Sequence, residues 1–270
     1  MSKTVKLVLD IIIGAVLPVA ILKYGTAPLG TLPAYLSAAL IPVGWVLLDL
    51  FVISRRFNFI TTYAGMGAIL RGALAFWYVS GALFAFKDSA SYILAVFVFG
   101  GTLFFGRPVT RAIALQGLAP DTPTREASLE RLLDEPTVMV KLRQATTAIA
   151  LTNLAAGAFN YWINFRIVKA QFGTPQFNDQ VANVNAITRI VLVLPDMLAL
   201  FWAFSIMYKA MYALLPPDVT TDPKGEDFWD LVERREVALA SGNTGMITES
   251  EAEAKTHGKH QAREDFGIIV

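Results

Sequence analysis

Asp196 follows Pro195 inside the apolar run Ile190 to Leu215, and Arg71 sits inside another apolar run, Phe57 to Phe86. An ionised side chain at bilayer depth costs at least roughly 2.5–3.5 kcal/mol, so it must face protein or water. Two chemistries suit such residues: a structural clamp between helices, or a station in a proton or ion pathway. With a rise of about 1.5 Å per residue, Arg71 lies about 20 Å from the start of its segment and Asp196 about 15 Å from the opposite side. In a hydrocarbon core about 30 Å thick those depths differ by about 5 Å, which an arginine stem spans. The spacing therefore predicts an Arg71–Asp196 ion pair or a shared polar pocket. Asp10 lies about 8 Å inside the first apolar segment, shallow enough to meet water or an arginine such as Arg55 or Arg111. Asn153 and Asn160 share a helical face, with Asn164 one turn further on, and intramembrane amides at such positions join helices by hydrogen bonds.

The remaining chemistry is narrow. The chain has no cysteine, which excludes disulfides and thiolate metal or iron–sulfur sites. Its two histidines, His257 and His260, lie in a polar C-terminal segment with no third ligand of fixed position, so no metal site is expected. Gly65-Met66-Gly67 has no preceding strand and cannot be a nucleotide loop. No nucleophile elbow, zinc-protease motif or phosphate loop is present. The sequence therefore predicts no enzyme, no cofactor and no catalytic residue, and without a basic patch interleaved with aromatics, no nucleic-acid binding.

The elements that must position these residues are read from composition. Of 270 residues, 54% are hydrophobic and only 17% charged, with a mean hydropathy of +0.49, which points to lipid as the solvent. We predict an all-α, polytopic helical bundle of about six transmembrane helices over residues 1–215, at about 5–22, 32–53, 58–84, 90–106, 145–168 and 186–212. The boundary near Lys87 and Asp88 is the weakest. Lys and Arg gather in alternate loops, with Lys3, Lys6, Arg55, Arg56, Arg107 and Arg111 on one side, which places both termini in the cytoplasm by the positive-inside rule. Gly65, Gly67, Gly72, Gly100, Gly101 and Gly106 allow close helix approach. Gln171 to Asn185, polar and containing Gly173 and Pro175, reads as an extracytoplasmic loop.

In the cytoplasmic loop 108–144, Thr122-Pro123 reads as a helix start that places Leu129, Leu132 and Leu133 on one face, lying on the membrane or against the tail. Residues 216–270 read as a cytoplasmic tail with an amphipathic helix at Glu226 to Ala240. Such a tail buries too little area to fold alone, so Phe228, Trp229, Val232, Phe266, Ile268 and Ile269 are candidate contacts for a partner.

The order of features resembles the bacterial intracellular septation protein A family and its inner-membrane relatives. The resemblance rests on Leu9-Asp10-Ile11-Ile12 through Leu17-Pro18, Leu48-Asp49-Leu50 before Arg55-Arg56-Phe57-Asn58, Gly106-Arg107-Pro108-Val109 with Leu115, and the helix bearing Asn153 and Asn160. It covers roughly Val5 to Tyr212 and implies a bacterial cytoplasmic-membrane protein linked to envelope synthesis or septation, with no catalytic residue to carry over. Two functions remain in view. One is a non-enzymatic scaffold or accessory subunit that contacts membrane lipids and other integral membrane proteins, as an oligomer or within a larger, energy-converting complex. The other is a small transporter or channel using Arg71 and Asp196.

Overall fold

The computed structural model describes residues 3–53, 59–216 and 227–241, and these are helical with no strand among them. Helix α1 occupies residues 3–29 and α2 Thr31–Ile53, joined at Gly30, whose φ of 86° suits a residue without a side chain. Then follow α3 Phe59–Ala75, α4 Gly81–Asp88 and α5 Ala90–Phe104. Beyond them lie α6 Val109–Leu118, α7 Pro123–Asp134, α8 Pro136–Ile167, α9 Pro175–Val191, α10 Val193–Tyr212 and α11 Phe228–Ala240.

Three helical stretches are long and apolar enough to cross a bilayer: Val8–Leu29, Thr31–Ile53 and Pro175–Tyr212. A fourth arises if α4 and α5, bent by 45° at Ser89, count as one broken span. The expected span 58–84 is not one helix. It stops at Ala75, because Phe76-Trp77-Tyr78-Val79 are aromatic or β-branched weak helix formers and Ser80 is extended before Gly81. The expected loop Gln171 to Asn185 is also corrected. From Pro175 onward it is helix α9, started by the Thr174 cap, whose Oγ1 accepts from the Phe177 N–H at 3.2 Å, with Pro175 in the first turn.

Prolines explain the irregularities. Pro18 cannot donate to the Gly14 carbonyl four residues back, and α1 widens around it into π-turns at Ile12–Val16 and Ile21–Gly25. Pro195 likewise stands four residues after Val191, beside the interruption at Leu192 that separates α9 from α10.

The chain divides into two compact units, residues 1–106 with 146–201, and residues 107–145 with 202–270. The first unit has an aromatic-rich core of Tyr35, Phe84, Ile163, Val168, Phe177 and Val181. Phe84 and Phe177 meet edge to face at 4.9 Å, and Phe177 also contacts Phe172 at 5.2 Å, the preferred geometry for ring quadrupoles. The second unit has an aliphatic core in which Leu129, Leu132 and Leu133 of α7 are fully buried with Leu142, Met211, Leu231 and Val232. Of the expected tail, the described helix α11 packs Phe228, Leu231 and Val232 into this core, beside α7, and most of the rest lies outside the described residues.

Candidate functional site

Thr122 caps α7 as its sequence suggests, accepting from the Arg125 N–H at 3.2 Å. In the second unit ion pairs border the aliphatic core. Arg111 grips Asp134 with two bonds of 2.7 and 2.9 Å, and Arg125 bonds Glu233 at 3.0 Å while lying over the Trp229 ring. The Arg111 guanidinium holds the Asp134 carboxyl below the ordinary aspartate value, and the same bond raises Arg111. Arg111 therefore serves Asp134 here, rather than Asp10. Phe228 and Val232, expected to meet a partner, are buried in this unit's own core, and Trp229 packs partly buried against it. The candidate contacts Phe266, Ile268 and Ile269 lie outside the described residues. A groove of about 570 Å³ runs between Arg131, Glu135, Arg235 and Glu236, but these charges already pair with one another, at 3.1 Å for Arg131–Glu236.

The first unit holds the stronger polar constellation, built at the break between α4 and α5. The helix stops after Asp88 because the Ser89 hydroxyl turns back to bond the Ala85 carbonyl at 2.9 Å. That break presents Asp88 to α8, where Asn160 Nδ2 donates to its Oδ2 at 3.1 Å and Asn164 Nδ2 donates to the same oxygen at 2.9 Å. Asn160 also donates to the Ser89 hydroxyl at 3.1 Å. Lys87, only 7% exposed, donates to the Trp77 carbonyl at 2.6 Å and lies 5.0 Å from the Tyr35 ring centroid. The non-helical Phe76–Ser80 stretch thus supplies a free carbonyl to a buried ammonium, which can stay charged because a carbonyl dipole and a ring face receive it.

Three further contacts repeat this pattern. Arg189 donates to the Gly14 carbonyl, the acceptor that Pro18 leaves without its helical donor. Asn178, fully buried, donates to the Thr26 hydroxyl at 3.0 Å and to the Thr31 carbonyl at 2.9 Å, closing the α1–α2 turn. Gly157 lets α8 touch α5, since a Cβ there would stand 2.8 Å from the Tyr92 Cβ.

The residues expected from sequence fall as follows. Arg71 and Asp196 form no ion pair. Arg71, exposed and one turn before the end of α3, donates from Nε to the Ser91 hydroxyl at 2.8 Å. Asp196, half-buried, sits in the first turn of α10, where a negative charge suits the helix N-terminus. Their separation follows from the early end of α3, which moves Arg71 from mid-span to a helix end. Asp10 accepts from the Trp45 indole N–H at 2.7 Å instead of meeting an arginine. Asn153 bonds its own Ile149 carbonyl at 2.9 Å and joins no helix, while Asn160 and Asn164 do join helices, through Asp88. Of the span glycines, Gly65 and Gly72 face Leu50 and Val43 at 3.1 and 3.3 Å, whereas Gly67, Gly100 and Gly101 face open space. Sequence reading did not single out Asp88, Lys87, Asn178 or Arg189 as functional. The signal for Asp88 was the pair of amides at 160 and 164, which need an acceptor.

No family model, no curated protein and no solved structure matches this chain. Geometry alone defines its class: an all-helical chain with several helices apolar enough for a membrane and buried charges clasped by neutral groups.

Proposed function

We propose that this chain is a non-enzymatic integral membrane scaffold or accessory subunit, acting through protein contacts within the bacterial cytoplasmic membrane. The observation that carries the reading is the Lys87–Asp88 break. A conducting pathway needs its ionisable groups open to water, whereas Lys87, Asn160 and Asn164 are buried and occupied by one another's helices. Such groups fix helix positions and leave the outer apolar surface as the part that meets other molecules. Six spans, with α4 and α5 as one broken span and both termini in the cytoplasm, agree with the distribution of Lys and Arg. The resemblance to the septation protein A family supports envelope synthesis or septation as the process, and an energy-converting complex is the other setting.

Gentle-detergent purification from native membranes, followed by mass spectrometry, tests this directly. Stoichiometric membrane-protein partners are expected. A monodisperse chain carrying only lipid would overturn the reading. One observation favours a second, transport function: the Asp196 carboxylate has no hydrogen-bond partner among the described residues. If Asp196 were a pathway station, Asp196→Asn would abolish flux in vesicles while leaving the fold intact.

A further inference from the structure

The exposed face of α8 changes character along its length. Leu151 and Leu154, 59% and 55% exposed, stand on it first, then Tyr161, Trp162 and Phe165, and last Arg166, with Lys169 just past the helix end. Residues three and four apart share a helical face, and a different face of α8 buries Asn160 and Asn164 against Asp88. From Leu151 to Arg166 a rise of about 1.5 Å per residue gives roughly 22 Å, more than half of a hydrocarbon core about 30 Å thick. Aliphatic, then aromatic, then basic is the order in which side chains suit acyl chains, the membrane interface and lipid headgroups.

At the basic end the side chains form a column. The Tyr161 and Phe165 rings stack at 6.1 Å, and the Lys169 ammonium lies over the Phe165 ring at 4.3 Å. The turn after α8 is pinned to α9, where Gln180 Oε1 accepts from the N–H groups of Lys169 and Ala170 at 2.8 and 2.9 Å. Arg166 follows Phe165 in the chain and stands one turn after Trp162 on the exposed face. Neither cation has a carboxylate partner among the described residues, and Asp179, next to Gln180 in α9, instead accepts from Asn183 at 3.4 Å. We propose that this end of α8 binds the phosphate of an anionic phospholipid, with Arg166 and Lys169 taking the phosphate oxygens and Trp162 and Phe165 lying against the glycerol and upper acyl chain. Two cations without carboxylates select an anion. The exposed rings and the aliphatic stretch before them select a lipid, because a phosphate free in water would gain nothing from either. The proposal goes beyond the scaffold reading by naming a lipid class, and it rests on that reading's placement of the chain in a membrane.

The test places the full chain in nanodiscs of equimolar phosphatidylglycerol and phosphatidylcholine, adds a photoactivatable analogue of one lipid or the other, and maps the labelled peptides. The phosphatidylglycerol analogue is expected to label Tyr161 to Lys169 more than the phosphatidylcholine analogue does. Arg166→Gln and Lys169→Gln should each lower that phosphatidylglycerol labelling about fivefold, the factor that about 1 kcal/mol per basic residue represents. Lys141→Gln, an equal change of charge toward the other end of α8, should leave it unchanged. Labelling around Leu151 and Leu154 by the phosphatidylcholine analogue should be the same in every variant, which shows that the variants fold. Absent or equal labelling at the basic end, or an equal loss with Lys141→Gln, would overturn the proposal and leave the scaffold reading intact. Displacement of the lipid adduct by millimolar inorganic phosphate at constant ionic strength would assign the two cations to a soluble anion and overturn it too. A chain that neither analogue labels anywhere would sink both readings.

Discussion

In the first unit, charges are held mainly by neutral dipoles, and in the second they are held by other charges. Lys87 rests on a backbone carbonyl, Asp88 on two amides, Arg189 on the Gly14 carbonyl and Asp10 on an indole. Arg111, Arg125, Arg131 and Arg235 instead each face one or more carboxylates. The difference accords with the distribution of the span-length apolar helices, most of whose residues belong to the first unit. In an apolar medium a charge must be solvated by groups already fixed in the fold, and prolines and helix breaks supply the carbonyls that regular helices keep for themselves. At a water-facing surface, paired side chains need only modest mutual attraction, because water completes their solvation. Among the described residues of the first unit the exception is Lys6–Asp49 at 2.8 Å, partly exposed near the helix ends.

Substitutions can break or sharpen this contrast. The largest effect is expected from Leu132→Ala, which empties a fully buried site in the second unit's core and should cost about 3 kcal/mol. Hydrogen exchange should show α7 and α11 amides losing about two decades of protection, while α1 and α2 keep theirs. Equal loss in α1 and α2 would mean that the two units do not unfold separately. Next is Asp88→Ala, which strands the amides of Asn160 and Asn164 and should cost about 2 kcal/mol. Asp134→Ala removes an ion pair of similar length at the second unit's surface and should cost well under half of that. Thermal unfolding in detergent compares the two, and equal losses would erase the distinction between neutral clasp and surface ion pair.

What the sequence made legible follows the same division. Helical class and three of the six expected spans, or four with the bent α4–α5 pair, were readable because hydropathy and length suffice for them, whereas 58–84 is broken and 145–168 is not among the span-length apolar helices. The α7 start was readable from Thr122-Pro123. The same pair of residue types at Thr174-Pro175 begins α9, yet Asn178, Asn183 and Asn185 made that stretch resemble a loop. The corrective signal was the spacing of Phe177, Val181, Val184 and Thr188, one buried helical face. Arg71 and Asp196 were visible as charges in apolar runs, but their placement depended on where α3 ends. That end is set by the weak helix formers at 76–79, whose effect a hydropathy window averages away. The role of Asp88 was hidden because its partners lie more than 70 residues away on α8, a separation that only tertiary structure resolves.

Gly157 sharpens the picture of how the first unit packs. A methyl group there would press on the Tyr92 side chain at its rigid Cβ, so Gly157→Ala should cost about 1–2 kcal/mol by overpacking. Gly100→Ala, on α5 with open space around it, should be neutral or slightly stabilising, since alanine is the better helix former. The same detergent melts decide this, and equal shifts would argue against close contact of α5 and α8 at Tyr92.

The smallest effect concerns pH, and it belongs to the second unit. Asp134 titrates below its ordinary value of 3.8 because Arg111 bonds its charged form. A carboxyl with a depressed folded pKa binds fewer protons folded than unfolded. Its contribution is therefore complete above the ordinary value and disappears as acidification passes through the lower folded one. Asp134 is more than half exposed, so water screens the pair and the contribution should stay within a few tenths of a kcal/mol. Asp134→Asn should flatten that part of the pH profile below 3.8 and leave stability near neutrality almost unchanged. A profile unchanged by the substitution would show that the Arg111–Asp134 bond contributes nothing in solution, and the charge-on-charge pattern of this unit would then be a consequence of its surface composition alone.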